Sequence, residues 1–411
     1  MRAQEMRGEQ LLSGGERFAP RPNLFSRLFA PGFKTMLDRV DKGFERGSIT
    51  ATLPDGTVRV LGGRAPGFDV KVDLKDWRAL LRLATSGSVG WYQAYEAGEW
   101  EADNHAHLFA LMSDNARALG DTARSAGLSK WIARAAHYFN RNDRAGSVRN
   151  ISAHYDLGND FYRAWLDDTL TYSSALEYGE DGLKAAQLRK LDGIAGRLGD
   201  AGSVLEIGCG WGALAERIAL SGASVTAISL SDEQLAYARQ HRPAEIAFEK
   251  CDYRDVSGQF DAIASVEMVE ALGREYWPTF LDCVASNLRP GGRAAIQYIS
   301  MADDLFEVYA NSADFIQAYV FPGGMLIKSS EFRELAAARG LEWRDQVDFG
   351  QDYAATLRKW REQFDVAATE GRLPDGFDER FVRLWRYYLS YCEGGFLAGN
   401  IDVHQVTLVK T

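Results

Sequence analysis

The sequence predicts an α/β fold, a doubly wound parallel sheet preceded by a smaller α+β domain. Three observations carry this. From Ser203 onward, short buried apolar runs alternate with helical patterns. Within that region VLEIGCGWGALAERIA, residues 204–219, sets Gly208, Gly210 and Gly212 between an apolar strand and an amphipathic run. Ahead of residue 124 the pattern is instead a hairpin followed by helix, and a chain of 411 residues is too long for one ordinary core.

Taken in order, residues 1–48 are mixed and basic, with some helical character. SITATLPDGTVRVLGG (48–63) alternates apolar and polar residues about Pro-Asp-Gly and predicts a β-hairpin. KDWRALLRLATSGSVGWYQAYEAGEW (75–100) predicts a helix broken at its glycine-rich stretch. Residues 1–123 thus form an accessory domain with no catalytic cluster. Residues 124–149 carry six Lys or Arg and one Asp. There Leu128, Trp131, Ile132, Ala135 and Phe139 recur at helical spacing, with Lys130, Arg134 and Arg141 elsewhere around the wheel. A linker helix over 124–150 follows. It either lies on an anionic membrane surface or packs between domains with a solvated face, and both readings stay open. Residues 151–411 hold the sheet, with strands at 203–208, 224–230, 245–252, 260–268 and 292–300, closed by 404–410.

Composition narrows the function. The hydrophobic fraction, 46%, is that of a globular protein, and a net charge of −10 argues against non-specific nucleic-acid binding. No apolar run reaches the roughly 20 residues that span a bilayer. The N-terminus lacks a signal-like apolar stretch, and Cys209, Cys251, Cys283 and Cys392 are widely spaced, as in a reducing cytoplasm. His105 and His107 form an isolated H-x-H with no further ligand nearby, so no metal is expected.

Glycines at a strand–helix turn let backbone approach a ligand where side chains would clash. In a doubly wound sheet that ligand sits at the carboxyl ends of the strands. The spacing here is G-x-G-x-G, which is neither the dinucleotide fingerprint nor the phosphate loop. Glu206 stands two residues before Gly208 and the loop has no Lys, which suits a cationic nucleoside better than a polyphosphate. The turn resembles the first motif of class I S-adenosylmethionine-dependent methyltransferases, a Rossmann-like fold.

Further motifs follow in order: HYDLGNDFYRAWLDDTLTYSSA (154–175), ISLSDEQLAYA (228–238), CDYRD (251–255), SVEMVEALG (265–273), YVFPGG (319–324), FGQDYAATLRKW (349–360) and YYLSYCEGGF (387–396). Together they resemble the cyclopropane-fatty-acyl-phospholipid synthase family over about residues 150–411. The resemblance implies a cytoplasmic enzyme, peripheral on the inner face of the membrane. It would methylate the double bond of unsaturated phospholipid acyl chains, with a homodimer left open. An alkene needs no base to attack a sulfonium methyl. The protein must align the reactants, exclude water and then remove a proton. Loss of that proton from the new methyl closes a cyclopropane ring.

By motif position the resemblance implies cofactor contacts at Tyr172 and Ser173, at Glu206, Gly208, Cys209, Gly210 and Gly212 in the turn, and at Ser229, Leu230 and Gln234 after the second strand. Asp252 and Tyr253 would flank the adenine, with capping and core packing as their respective alternatives. Around the proton-removal site it implies a bicarbonate base held by a Cys, a Glu, a His and a Tyr. Glu270 and Tyr353 match. Ser174 stands at the Cys position, Gln297 at the His position, and Ala271 replaces the His that commonly follows the Glu. Bicarbonate is therefore doubtful here. Glu267, three residues before Glu270, offers a protein carboxylate instead, or else is a solvated residue at a helix start. Cys392 matches a family cysteine but has no evident task in this chemistry, and packing is its expected role. These departures favour methyl-branched unsaturated chains over cyclopropane. Three alternatives stay open: methyl-branched or methylene products without ring closure, including a step toward modified (for example furan) fatty acids; a small-molecule N-methyltransferase; and a lipid-binding or lipid-oxidising relative that does not methylate.

Overall fold

The computed structural model of the chain describes residues 30–120, 157–312 and 314–411. The basic stretch 124–149, with Lys130, Arg134 and Arg141, lies outside the described residues. The chain divides into two compact units. Among the described residues the first comprises 30–120 with Asp304–Pro322 and Gly376–Asn400, and the second comprises 157–303, Gly323–Asp375 and Ile401–Thr411.

The first unit opens with helix α1 (Ala30–Gly43) and the hairpin of β1 (Ser48–Thr52) and β2 (Val58–Gly62), which pair antiparallel. The Pro-Asp-Gly turn closes through Gly56 N–H donating to the Leu53 carbonyl at 2.8 Å. Two strands that the pattern did not indicate, β3 (Asp69–Leu74) and β4 (Trp100–Ala102), complete a sheet of order β2-β1-β3-β4. Helix α2 (Arg78–Glu96) is interrupted by non-helical backbone at Gly87, inside the glycine-rich stretch. Helix α3 (His105–Asp114) starts at Asn104, whose side chain accepts from His107 N–H.

After a short helical turn at Asn159–Arg163, the second unit continues with α4 (Leu183–Arg197) and β5 (Ser203–Ile207). It continues through α5 (Ala213–Ala219), β6 (Ser224–Ser229), α6 (Asp232–His241), β7 (Ala247–Lys250) and β8 (Phe260–Val266). Then come α7 (Trp277–Asn287), β9 (Leu288–Met301), β10 (Leu341–Asp348) and α8 (Gly350–Thr369). The chain next contributes α9 (Glu379–Leu397) to the first unit and returns as β11 (Ile401–Lys410). Seven strands form one sheet of order β10-β11-β9-β8-β5-β6-β7. Each strand expected from sequence is present, but the sheet is mixed rather than wholly parallel: β11 runs antiparallel to both β9 and β10. An antiparallel margin on a parallel sheet is a common way to end a doubly wound fold.

Small and branched residues along the central strands, among them Val204, Ala227, Ala262, Ala264 and Ala295, pack with Leu214, Ile218 and Leu235 into one buried cluster. Burial on both sheet faces explains why these strands read as continuous apolar runs rather than as alternations. Strand order reverses at β5, between β6 and β8, which makes its carboxyl end the ligand crevice of this architecture. Among the described residues no helix is long and apolar enough to cross a membrane.

Candidate active site

The glycine turn leaves β5 at that crevice. Gly208, Gly210 and Gly212 have φ of 84°, 52° and 81°, a left-handed backbone that L side chains rarely adopt. The three differ in what surrounds them. A Cβ on Gly208 would meet the Met268 side chain at 2.8 Å, and one on Gly212 would meet the Phe248 ring at 2.8 Å. A Cβ on Gly210 would meet no atom within 4 Å, so the space above it is open. Gly208 and Cys209 N–H both donate to the Ile228 carbonyl at 3.0 Å, which fixes the turn to β6. Cys209 packs into the core cluster, and burial pushes its thiol well above the usual range, so its side chain acts as filler.

Glu206 Oε2, on β5, and the Tyr253 hydroxyl, on the turn after β7, are buried without a hydrogen-bond partner. Burial pushes the Glu206 carboxyl up to about 8, opposed by the Lys190 ammonium. Ser229 Oγ accepts from Ser231 N–H at 3.1 Å and contacts Gln234 Oε1 at 3.3 Å, while Leu230 follows at the end of the strand. Asp252 behaves as its alternative reading expected: it caps the turn at Tyr253–Asp255 and its carboxylate pairs with Arg254 at 2.5 Å. Tyr253 packs on Phe280 with centroids 6.0 Å apart. Open space over Gly210, an orphaned carboxylate oxygen and an orphaned phenol suit a ligand with a cationic amine and a nucleoside.

The TYSSA segment passes close by. The Tyr172 ring lies among those of Tyr162, Trp165 and Trp360, with centroids 5.3–5.6 Å apart. Ser173 is buried, and its Oγ accepts from Lys190 Nζ at 2.5 Å while its carbonyl accepts from Gln187 Nε2 at 2.8 Å. Lys190 is fully buried, and burial lowers its ammonium to about 8 against the pull of Glu267, Asp167 and Glu206. Sequence reasoning missed Lys190 and Gln187. The available signal was their position: they fall on the buried face of α4, between Ala186, Leu191 and Ile194. A Lys and a Gln at core positions need polar partners.

Three of the residues expected around the proton-removal site, Ser174, Gln297 and Tyr353, donate to one group, the Glu267 carboxylate. Oε1 accepts from Ser174 N–H at 2.9 Å and from Gln297 Nε2 at 2.8 Å. Oε2 accepts from the Tyr353 hydroxyl at 2.6 Å. A carboxylate has about four lone-pair positions, so one stays available. Glu267 itself has φ of 49°, uncommon for a residue with a side chain, and its N–H donates to the Gln297 carbonyl. It follows β8 directly, outside any helix, which answers the helix-start alternative.

Each departure from the family pattern now has a location. Ser174 serves through its N–H, and its hydroxyl donates to the neighbouring Ala175 carbonyl. Gln297 supplies an amide donor in mid-β9. Ala271 is exposed on the turn Val269–Ala271. Glu270 lies on that turn, its Oε1 taking the Ile299 N–H and its Oε2 buried without a partner. Burial, with the neighbouring Glu267 charge, pushes the Glu270 carboxyl up to about 8. Burial also raises Glu267, but its three donors and Lys190 work in the opposite direction. The two carboxyls differ in their surroundings: Glu267 has three donors and the Lys190 ammonium opposing its burial, whereas Glu270 has backbone donors only and the Glu267 charge beside it. Cys392 is on α9 of the first unit, whereas this cluster is built within the second. Burial and the Asp314 carboxylate push its thiol upward, away from the thiolate that a nucleophile requires.

A family model described as mycolic acid cyclopropane synthetase matches residues 142–406. Tuberculostearic acid methyltransferase UfaA1 of Mycobacterium tuberculosis is 36% identical over 351 residues, 80% of this chain and 80% of its own length. The cyclopropane-fatty-acyl-phospholipid synthase of Escherichia coli is 34% identical over 363 residues, 85% of this chain and 90% of its own. Among solved structures, mycolic acid cyclopropane synthase CmaA1 complexed with SAH and CTAB aligns with a TM-score of 0.60 at 28% identity. That match covers 64% of this chain and 98% of CmaA1.

Proposed function

The chain belongs to the mycolic acid cyclopropane synthetase family of S-adenosylmethionine-dependent methyltransferases, and from that premise we propose that it C-methylates the double bond of unsaturated phospholipid acyl chains, with Glu267 as the base. The observation that carries this reading is the Glu267 carboxylate held by Ser174, Gln297 and Tyr353. These are the positions expected to hold bicarbonate, so the Glu267 side chain supplies the carboxylate that a bound anion would otherwise bring. The left-handed conformation of Glu267 has a cost, of about 1–3 kcal/mol, and such strain persists where function holds it.

The residues would work as follows. Bound S-adenosylmethionine supplies an electrophilic methyl. The turn at Gly208–Gly212, with Glu206, Ser229, Gln234 and Tyr253, holds the nucleoside and amino-acid ends, and Tyr172 and Ser173 border the methyl. Transfer of that methyl to the alkene, with the departing electron pair remaining on sulfur, would leave positive charge on the acyl chain. That cation would be bordered by the Tyr172 ring, which the buried rings of Trp165 and Trp360 back, an aromatic surface that stabilises positive charge and excludes water. Glu267 then accepts a proton, and the released C–H pair forms either a ring bond or a displaced double bond. We expect the displaced double bond to dominate. Ring closure requires the tethered carboxylate to reach the new methyl rather than a chain carbon beside the cation. A location on the membrane surface belongs to the same proposal, with the six cationic residues of 124–149 supplying attraction to anionic lipid.

The experiment is mass spectrometry of lipids from cells with and without this chain, grown on methyl-deuterated methionine. A methyl branch beside a displaced double bond keeps all three deuterons, whereas a ring or a methylene keeps two. Labelled acyl chains carrying three deuterons support the full reading. Two deuterons retain methylation and overturn the expected product. No labelled lipid, together with turnover of a free amine, would transfer the protein to N-methylation.

A further inference from the structure

The Gln297 donor to Glu267 raises a question of direction. A primary amide can face a carboxylate with either end, and only its nitrogen end favours the anion. Gln297 is fully buried, so no bulk water corrects a wrong orientation. Its direct partner across the β9–β11 pair is Gln405, itself buried. Gln405 Nε2 donates to Gln297 Oε1 at 3.0 Å and to the Lys190 carbonyl at 3.4 Å. Gln405 Oε1 in turn accepts from Arg197 Nε at 3.3 Å. Arg197, at the end of α4, also donates to Thr407 Oγ1 at 3.2 Å and to the Asp345 carbonyl at 2.5 Å.

A guanidinium has donors only. Arg197 therefore fixes which end of Gln405 is the acceptor. Gln405 then fixes Gln297, and Gln297 must present N–H to Glu267. The row runs in one direction from a half-buried cation to the carboxylate. We propose that Arg197 and Gln405 are positioning residues that lock the Gln297 amide as a donor and so keep Glu267 a proton acceptor. The proposal rests on the reading of Glu267 as the base. With Gln405 removed, Gln297 is free to turn its oxygen toward Glu267, an arrangement that needs a proton on the carboxyl. The other groups facing Glu267 are Lys190 from α4, Glu270 from the turn after β8, Tyr353 from α8 and the Ser174 N–H, and of these Gln405 bonds only to the Lys190 backbone carbonyl.

The test uses the full chain with S-adenosylmethionine and vesicles of dioleoylphosphatidylglycerol. Gln405→Met preserves most of the volume and removes the amide. We expect kcat to fall about tenfold with KM for S-adenosylmethionine within about twofold, since one buried hydrogen bond is at stake. The acid limb of the kcat–pH profile should move upward by about one unit. In a Gln297→Met background, Gln405→Met should add nothing further, the non-additivity of a single pathway. Arg197→Met should move the acid limb in the same direction by less, and it carries the test if Gln405→Met does not fold. An unchanged acid limb in a folded variant, or simple additivity of the two substitutions, overturns the proposal. Glu267→Gln separates the two layers. If that variant is inactive while Gln405→Met matches wild type, only the positioning role fails. If it turns over normally, the base assignment fails first.

Discussion

The two halves of the candidate site are built on opposite principles. The cofactor half, from Gly208 to Gly212, works by leaving space: its glycines keep side chains out, and only Gly210 has nothing within 4 Å of an added Cβ. The base half works by filling space: Ser174, Gln297 and Tyr353 come from three separate segments to occupy one carboxylate. The first is local, five residues at one turn. The second spans 174 to 353 and exists only once β8, β9 and α8 are assembled. A change in the first half should therefore read out as affinity, and a change in the second as turnover.

The largest expected effect breaks the base half alone. Glu267→Gln keeps the volume but replaces an acceptor by an amide that cannot take the proton. Turnover should fall by about 10²–10⁴-fold, the usual worth of a positioned base. Affinity for S-adenosylmethionine, measured by calorimetry, should stay within a few-fold. Equal losses in both quantities would mean that the two halves are one unit.

The cofactor half gives the next effect. Gly210→Val meets no protein atom, so beyond the backbone strain of a side chain at φ 52° it is the ligand that the side chain meets. Affinity for S-adenosylmethionine should drop about 10- to 100-fold, the usual cost of overpacking a tight site. Gly212→Val drives the same side chain into Phe248 and should instead destabilise the fold by roughly 1–3 kcal/mol, visible in thermal unfolding. Unchanged affinity in the Gly210 variant would remove this turn from the site.

This contrast also explains what the sequence disclosed. A glycine turn between an apolar strand and an amphipathic helix is contiguous, so its chemistry and place in the fold could be read directly. So could the hairpin at 48–63 and the central strands. Glu267, Gln297 and Tyr353 could be nominated by motif, but nothing local says that Glu267 adopts a left-handed backbone and receives all three donors. Gln405 was illegible. It lies in β11, where residues 403–408 are all buried, so no alternation marks which side chains face a site. Lys190 was hidden by its helical neighbours. The segments Asp304–Pro322 and Gly376–Asn400 belong to the first unit although they follow the sheet in sequence, and composition carries no trace of that return.

A smaller effect sharpens the carboxylate pair. Folding holds the Glu270 carboxyl at about 8, above its ordinary value, because burial and Glu267 disfavour its charge. The folded state thus binds this proton more tightly than the unfolded chain does. Stability is then lost as pH rises from the ordinary carboxyl range through about 8, and kept below it. Glu270→Gln removes this penalty. Its melting temperature should exceed that of wild type by about 2–4 °C at pH 8.5 if the gain is near 1 kcal/mol, and the difference should vanish toward pH 4.5. A difference independent of pH would show that Glu270 is not the group carrying the proton.

The smallest effect is expected at Ser174, one of the three departures from the family pattern. Its residue type departs from the family cysteine, yet the contact with Glu267 is made by its backbone N–H. Its hydroxyl turns to the Ala175 carbonyl and the side chain is fully buried. Ser174→Ala keeps the N–H and loses only that local bond, so stability should fall by about 1 kcal/mol or less and turnover should stay within about twofold. The ratio of three-deuteron to two-deuteron products should not move. If Ser174→Ala instead lowers turnover as far as Glu267→Gln does, the hydroxyl is reaching the reaction through a rearrangement on ligand binding. The base half would then depend on side-chain identity at a position where this geometry uses only the backbone.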